Sequence, residues 1–455
     1  MKKTYALLVT MLLVIAVIAG CASSTNTNTN SNANGNSNAA PSNGGKEAGT
    51  NEGADNKQEE KKPVKLQFSI WGNDAHKAMY EELIVEYKKT NPHVDVEIIT
   101  IPFADYQQKL SIMLASKTGP DVGWLAERMI PQFLESGQLV DIASDVKGDG
   151  AYAFDDIYPS TLDIFTEGDK LYGIPFSTPP SLLYYNKTLF KEKGLKTPSE
   201  LYAEGKWNYE EFLKAAKAIT DPSKGIYGVK LIREWKNWAD ALLPLFWAHG
   251  TDVFNADGTA FALNSPEGQA ALQLYNDMIF KDKVHPKPGD EIAFDAGKLG
   301  MFTDRYSYVS KARAVTDFEW DIAPLPSGTH GRGTSLGYAG YSMFETEHPE
   351  EAAAFLKFVT NAQSMGVTSQ FFVPSRKSVL ESDVFKKSAP LPTPESIQVA
   401  VLDQMGEARI APGHPNWQQI DVKMQTLLDY LYTQSESVEE VLKRMEAEVN
   451  PLMKK

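Results

Sequence analysis

Two short segments of the sequence combine an aromatic ring with hydrogen-bonding side chains. They pair Trp71 with Asn73 and Asp74, and Trp124 with Glu127 and Arg128. An indole ring can stack on the apolar C–H face of a sugar ring, while amide, carboxylate and guanidinium groups make directional hydrogen bonds to its hydroxyls. The pattern favours a sugar site, and core packing of the two tryptophans is the alternative.

The sequence offers little support for catalysis. It contains no H-E-x-x-H zinc motif, no P-loop and no G-x-G-x-x-G after a predicted strand, and its seven histidines are too widely spaced for a local zinc site. The neighbours Asp155 and Asp156 could act as a glycosidase pair, but we interpret them as the solvated start of a helix. We therefore expect a binding protein without a metal or a cofactor, rather than an enzyme.

Both tryptophan segments begin at the carboxyl ends of predicted β-strands. Residues 65–71 alternate apolar and polar side chains, residues 94–101 and 122–125 also read as strands, and amphipathic helices are predicted between them. Such alternation predicts a largely parallel sheet with helices on both faces, in which ligands bind beyond the carboxyl ends of the strands. The two segments should therefore face one binding region.

A proline-bearing stretch at residues 170–190 separates two further predicted strands. Pro175 should end the first strand, and Thr178, Pro179 and Pro180 should form a stiff, extended connection before the apolar run at 182–185. A stiff connection between two folded masses can serve as a hinge. An ordinary surface loop between a strand and a helix is the alternative.

The N-terminus has the features of an export signal. Lys2 and Lys3 precede an apolar run at 5–19 that is short for a membrane span, and the small residues before Cys21 resemble the lipobox of bacterial lipoproteins, whose cysteine is acylated. We predict a signal peptide at 1–20, with a transmembrane anchor as the alternative. Residues 21–62 have almost no apolar side chains, so we predict a lipid-anchored disordered tether there.

Size and charge restrict what the remaining chain can be. Residues 64–455 are too many for one hydrophobic core and suit two domains. Because Cys21 is the only cysteine, no internal disulfide can form. The formal net charge of the full chain is −14, which argues against nucleic acid or an anionic lipid surface as the main partner.

Several blocks of sequence occur in a fixed order along residues 64–455. They include LQFSIWGND, SKTGPDVGWLAERMIPQFLESGQLVDI, YGIPFSTPPSLLYYNKTLFKEKGL, AFDAGKLGMFTDRYSYV and PSRKSVL. Each block is weakly diagnostic by itself, but the ordered set resembles the bacterial extracellular solute-binding proteins of the carbohydrate-uptake class. These proteins are the receptors of ABC importers.

The resemblance implies an α/β fold of the two-lobed, type II periplasmic-binding-protein class, with the ligand in a cleft between the lobes. By position, the N-terminal lobe comprises 63–177 plus 340–372, and the C-terminal lobe comprises 178–339 plus 373–455. The chain would cross between the lobes near 175–180, 337–342 and 371–375, which makes the proline-bearing stretch one of the hinges.

The same resemblance implies which residues contact the ligand. In the first lobe these are the residues of the two tryptophan segments: Trp71, Asn73, Asp74, Trp124, Glu127 and Arg128. In the second lobe they are Trp235, Trp238, Arg305, Tyr306 and Trp417. Some relatives place a hydrogen-bonding glutamate at the first crossing, where this sequence has Pro179, so that contact must come from elsewhere or the ligand must differ.

The implied function is that of a lipid-anchored receptor on the extracellular face of the cytoplasmic membrane, of the Gram-positive type. It would bind a sugar, most simply an oligosaccharide, as a monomer and deliver it to the permease subunits of an ABC importer. An anchored carbohydrate-active enzyme is one alternative. The other is the same fold with a non-sugar solute, such as a polyol, a glycerophosphodiester or a modified uronide.

Overall fold

In the computed structural model, which describes residues 62–231 and 235–453, the longer strands form two separate sheets. These residues belong to the compact unit Glu60–Lys455. The predicted signal peptide, Cys21 and the tether up to residue 61 lie outside the described residues. The longer strands are β1 (Val64–Ile70), β2 (Val94–Thr100), β3 (Val122–Ala126), β4 (Ile174–Ser177), β5 (Ser181–Asn186), β6 (Tyr227–Lys230), β7 (Leu299–Arg305), β8 (Trp320–Ala323) and β9 (Ala339–Met343).

Helices connect most of these strands, and three pairs of two-residue strands add to them. The short pairs are Thr166–Glu167 with Lys170–Leu171, Ser327–Gly328 with Gly331–Arg332, and Ser335–Leu336 with Arg409–Ile410. The α-helices are α1 (Asp74–Thr90), α2 (Phe103–Ala115), α3 (Ile130–Glu135), α4 (Ala143–Lys147), α5 (Pro159–Leu162), α6 (Lys187–Glu192), α7 (Pro198–Ala203), α8 (Tyr209–Ile219), α9 (Trp238–Ala248), α10 (Pro266–Phe280), α11 (Val309–Ala312), α12 (Pro349–Val359), α13 (Ala362–Thr368), α14 (Lys377–Leu380), α15 (Asp383–Lys386), α16 (Pro394–Ala400), α17 (Trp417–Tyr432) and α18 (Val438–Val449).

The first sheet has the strand order β2-β1-β3-β9-β4. β1 is parallel to β2 and β3, as the sequence predicts, while β9 arrives from late in the chain and is antiparallel to β3 and β4. Pro175 lies inside β4 and does not end it. β4 is at the sheet edge, where the missing N–H of a proline need not break a ladder hydrogen bond. The carboxyl ends of β1 and β3 point the same way.

The second sheet has the strand order β8-β5-β7-β6. β5 is antiparallel to β8 and β7, and β6 is parallel to β7. Each sheet packs in its own apolar core: Phe68 contacts Tyr80 and Phe355 on the first sheet, and Tyr184 contacts Tyr308 on the second. The structure therefore has two α/β lobes, each built around one sheet.

Three segments carry the chain between the two sheets, and they lie side by side. The first joins β4 to β5, the second leads into β9, and the third precedes α14. The Thr178 N–H donates to the Val373 carbonyl over 2.9 Å, and the Gly337 N–H donates to the Pro179 carbonyl over 2.8 Å. The Ser375 hydroxyl donates to the Pro175 carbonyl. We call these segments the first, second and third crossings.

Arg376 follows the third crossing and is fully buried. Its guanidinium lies over a tyrosine ring and donates to three backbone carbonyls, those of Thr360 at 2.7 Å, Ala153 at 2.9 Å and Tyr152 at 3.0 Å. A buried guanidinium is stable only when its donors are satisfied. Arg376 therefore ties the third crossing to the first lobe.

Asp156 corrects one sequence-based expectation, because it is more than a solvated helix start. It ends a 3-10 turn, Phe154–Asp156, and its carboxylate accepts hydrogen bonds from the Ser378 N–H and hydroxyl and from Arg376. Partial burial opposes ionisation, but these hydrogen bonds outweigh it and lower the pKa of Asp156. Asp156 helps to hold the third crossing in place.

We predict that Arg376→Leu lowers the free energy of unfolding by about 3–5 kcal/mol, because it leaves buried carbonyls and Asp156 without their donor. Urea unfolding followed by tryptophan fluorescence measures this. Arg444→Leu is the matched control, since Arg444 pairs with Glu436 on the surface and should cost less than about 1 kcal/mol. Equal losses in the two variants would contradict the role given to Arg376.

Candidate functional site

A pocket lies between the two lobes. We call it the central pocket. The first lobe contributes a tryptophan, a phenylalanine and a carboxylate, the second lobe contributes charged side chains, and the crossings form the floor. Its lining residues include Trp71, Phe103, Glu127, Ser177, Pro179, Asp240, Asp304, Arg305, Ser307, Gly337 and Tyr338.

Two further pockets share walls with the central pocket. An inner pocket extends into the second lobe and shares Asp240, Asp304 and Arg305 with it. An outer pocket shares Trp71 and Phe103 with it, and adds among others Asn73, His76, Ser310 and Lys311. The three pockets therefore form a continuous row along the cleft, and an aromatic pair separates two of them.

Trp71 is held at this junction by other aromatic rings. It follows β1 and is half-buried, with its ring centroid 5.4 Å from that of Phe103, 5.1 Å from Tyr106 and 5.0 Å from Trp124. Edge contacts at these distances stabilise the orientation of an aromatic ring. Trp71 therefore presents a fixed apolar surface to both the central and the outer pocket.

Asn73 links the start of α1 to the second lobe. Its side-chain oxygen accepts from the His76 N–H at 3.1 Å, while the Nδ1 atom of His76 accepts from the Asn73 N–H at 3.2 Å, which makes a reciprocal N-terminal cap. The Nδ2 atom of Asn73 donates to the Ser310 hydroxyl at 3.0 Å. The cap orients Asn73 so that its amide reaches across the cleft.

An ionic network also spans the cleft. Asp240, in the first turn of α9, accepts from Arg128 of the first lobe at 3.4 Å and from Arg305 of its own lobe at 3.3 Å. Burial disfavours the charged form of Arg128, but Asp240 and Glu127 outweigh it and raise the Arg128 pKa. The Arg128 guanidinium also lies 4.8 Å from the ring centroid of Phe103.

Arg305 connects this network to the crossings. Its Nη1 donates to the Ser335 carbonyl at 2.8 Å and to the Pro179 carbonyl at 3.4 Å. Gly337 allows this close approach, because a Cβ atom there would lie 3.2 Å from the guanidinium carbon. The guanidinium thus rests against the first and second crossings while it pairs with Asp240.

Five of the residues predicted from the sequence come together at the cleft, and they do so through different contacts. They are Trp71, Asn73, Glu127, Arg128 and Arg305. Asp74 is exposed in the first turn of α1 and lines none of the three pockets. A carboxylate at that position suits the positive end of the helix dipole.

The other predicted aromatic residues pack inside the lobes. Trp124 is 1% exposed, in van der Waals contact with rings such as Phe176 and Trp71. Trp238 and Trp417 stack on each other in the second lobe with ring centroids 6.1 Å apart, and both are buried. Their contribution in this structure is to support the walls of the cleft.

Tyr306 and Trp235 also lie away from the three pockets. Tyr306 is fully buried against Phe385, and burial raises the pKa of its hydroxyl. It begins a 3-10 turn directly after β7, so its side chain enters the core although its neighbour Arg305 lines the cleft. Trp235 is half-buried against His285 and Tyr432.

Several pocket residues were not predicted from the sequence. Phe103 follows β2 as Trp71 follows β1, so the same strand-end argument applied to β2 identifies it. Asp304 is adjacent to the predicted Arg305. Asp240 and Tyr338 carry no local signal, because they reach the cleft only through the packing of α9 and the second crossing.

One pattern of catalytic type, G-x-S-x-G, occurs at residues 333–337. Ser335 lies in a two-residue strand, is fully buried, and donates its N–H to the Ser181 hydroxyl at 2.9 Å. A nucleophilic serine in this motif needs an exposed strand-to-helix turn. The motif is therefore a structural part of the second crossing, where the Ser335 carbonyl accepts a hydrogen bond from Arg305.

The described residues, 62–231 and 235–453, contain neither a metal-binding cluster nor a helix suited to span a membrane. No group of three or more histidine, cysteine, aspartate or glutamate side chains is arranged to hold a metal ion in this part of the chain. No helix in the same residues is long and apolar enough to cross a membrane.

Comparisons with known proteins relate the chain to binding proteins. A Brucella abortus protein named as a binding protein is 24% identical over 389 residues, which cover 83% of this chain and 90% of that protein. The arabinooligosaccharide-binding protein of Halalkalibacterium halodurans is 22% identical over 343 residues, covering 69% and 72%.

A solved structure shows the same fold. The Listeria monocytogenes ABC substrate-binding protein in complex with cycloalternan matches 86% of this chain and 99% of its own, with a TM-score of 0.77 and 22% identity. The family model for bacterial extracellular solute-binding proteins matches residues 73–366, which is well over half of the chain. The chain belongs to the bacterial extracellular solute-binding protein family.

Proposed function

We propose that this protein is a lipid-anchored receptor that binds an oligosaccharide between its lobes and delivers it to an ABC importer. The observation that carries the proposal is the central pocket, where aromatic rings stand opposite charged hydrogen-bonding groups. Trp71 and Phe103 offer apolar faces from the first lobe, and Asp240, Asp304 and Arg305 line the pocket from the second. This is the chemistry that a sugar ring with apolar faces and a polar edge requires.

The row of three pockets supports a ligand of several sugar residues. The inner, central and outer pockets share lining residues, so they offer adjacent positions to the residues of an oligosaccharide. The Halalkalibacterium relative is named for arabinooligosaccharides, and the Listeria protein was solved with cycloalternan. These names support an oligosaccharide without identifying its sugars or linkages.

The lobes supply the mechanism of capture. We assign 63–177 plus 340–372 to the N-terminal lobe and 178–339 plus 373–455 to the C-terminal lobe. Asn73 with Ser310 and Arg128 with Asp240 place groups of the two lobes within bonding distance. A ligand that contacts both lobes stabilises the arrangement in which they approach each other, and permease subunits can recognise that arrangement.

The anchor determines where the receptor works. Acylation of Cys21 and a tether up to residue 62 would hold the lobes at the extracellular face of the cytoplasmic membrane, as in Gram-positive bacteria. The receptor would act as a monomer and perform no chemistry on its ligand. Binding of a polyol, a glycerophosphodiester or a uronide in the same cleft is the alternative within this fold.

A thermal-shift screen against mono- and oligosaccharides tests the proposal. A ligand present at about one hundred times its dissociation constant adds about 2.7 kcal/mol of stability, so the unfolding midpoint rises measurably. A rise with one family of glycans supports the receptor. Chromatography of the same mixtures after long incubation distinguishes an enzyme, because a cleavage product would refute the role of a pure receptor.

We predict that Trp71→Ala weakens binding of the glycan found in that screen by about 5- to 150-fold, the effect of losing an aromatic anchor worth about 1–3 kcal/mol. Isothermal titration calorimetry measures the dissociation constant. Trp235→Ala is the matched control, because Trp235 is also half-buried and lines none of the three pockets. An unchanged affinity in Trp71→Ala, with the fold intact, would count against the site.

We also predict that Cys21→Ala abolishes incorporation of lipid, because Cys21 is the only thiol in the chain. Growth with an alkynyl fatty acid, followed by click labelling of the purified protein, provides the measurement. Ser23→Ala keeps the cysteine and should label like the unmodified chain. Equal labelling of Cys21→Ala and the unmodified chain would disprove the anchor.

A further inference from the structure

We propose that the central pocket accepts an uncharged sugar residue and rejects an anionic one, because Glu127 presents a fixed carboxylate oxygen to the ligand. The inference rests on the proposed function and narrows its substrate class. It separates neutral oligosaccharides from uronides and glycerophosphodiesters, which the fold alone does not distinguish.

Glu127 is held rigidly between the first sheet and the second crossing. It directly follows β3 and is only 6% exposed. Its Oε2 atom accepts from the Tyr338 N–H at 3.0 Å, and its own N–H donates to the Tyr338 carbonyl at 3.1 Å. Two hydrogen bonds to one backbone residue determine both the position and the rotation of this side chain.

The second carboxylate oxygen is available to a ligand. Among residues 62–231 and 235–453, Oε1 of Glu127 has no hydrogen-bond partner, although the residue lines the central pocket. A carboxylate oxygen accepts hydrogen bonds and does not donate them, so a ligand that covers Oε1 must supply a donor or lose free energy. The complementary ligand atom is a hydroxyl that donates, as every neutral sugar residue provides.

The guanidinium groups beside the pocket already have partners. Arg305 donates to the carbonyls of Pro179 and Ser335 and to Asp240. Arg128 donates to the same Asp240 oxygen. An anionic group in the central pocket would therefore compete with Asp240 for the positive charge of these two guanidinium groups.

The same pocket places further carboxylates near an incoming anion. Asp240 and Asp304 line it together with Glu127, and Pro179 on its floor has no polar side-chain atom. Like charges in a partly desolvated site oppose binding. Lys311 lies in the outer pocket, beyond Trp71 and Phe103, so the expected selectivity against anions belongs to the central pocket.

The test compares neutral and anionic probes by isothermal titration calorimetry on the full chain, purified in a detergent without a sugar headgroup. The neutral probes are maltotriose, cellotriose, xylotriose and arabinotriose. The anionic probes are trigalacturonate and trimannuronate, in which each residue is charged, together with glycerophosphoglycerol, whose phosphodiester carries one negative charge. We expect binding of at least one neutral probe and no binding of the anionic probes at the same concentrations.

Glu127→Gln replaces the carboxylate by an amide of the same shape. The amide oxygen can still accept the hydrogen bond from the Tyr338 N–H. The amide NH₂ group then faces the ligand hydroxyl that donates to Oε1 of Glu127 in the unmodified chain. We expect a ten- to hundredfold weaker affinity for the neutral probe that binds. Asp74→Asn is the matched control, because it removes one carboxylate from the first lobe outside the three pockets and should leave the affinity unchanged.

The outcomes separate this inference from the proposed function. An anionic probe that binds the unmodified chain as tightly as any neutral probe overturns the inference, but leaves a sugar-binding or solute-binding receptor in place. An affinity unchanged in folded Glu127→Gln overturns the role of Glu127. If that variant does not fold, the comparison of neutral and anionic probes on the unmodified chain still tests the inference. If none of the trisaccharides binds measurably, the proposed function and this inference are both refuted.

Discussion

The three crossings run side by side between the two sheets, and backbone hydrogen bonds join them. The first crossing donates to the third through Thr178 and Val373, and the second donates to the first through Gly337 and Pro179. Because a change in the angle between the lobes must pass through these segments, they limit how the lobes can move. Arg376 anchors the third crossing to the first lobe, so one side of the hinge has a rigid base.

The cleft charges depend on the same crossings. Arg305 rests on the carbonyls of Pro179 and Ser335, and Asp240 joins it to Arg128 of the opposite lobe. Glu127 is attached to the second crossing at Tyr338. A ligand that bonds to these side chains therefore contacts groups that are hydrogen-bonded to the backbone of the crossings. Binding and lobe movement become coupled without any long-range signal.

Local patterns predicted much of this architecture. The alternation of β1, β2 and β3 with α1 and α2 is visible in the sequence, because burial on one face imposes a period of two on strands and 3.6 on helices. The position of Trp71 at a strand end follows from the same alternation, and the extended run around Pro179 follows from the restricted backbone of prolines. The antiparallel entry of β9 is not visible in the sequence, since it pairs residues from opposite parts of the chain, as in Tyr341 with Trp124.

The sequence by itself determined the family, the two-lobe composition and the residue types available at the strand ends. Only the tertiary structure decided which of those residues reach the cleft. The sequence places Trp71 and Trp124 alike at strand ends, but Trp71 follows β1 and is half-buried at the cleft, whereas Trp124 lies inside β3 and is enclosed by other rings. Asp240 meets Arg128 from 112 positions away. Burial and pairing of this kind depend on what packs against a residue in three dimensions, and neighbouring residues in the chain do not specify that.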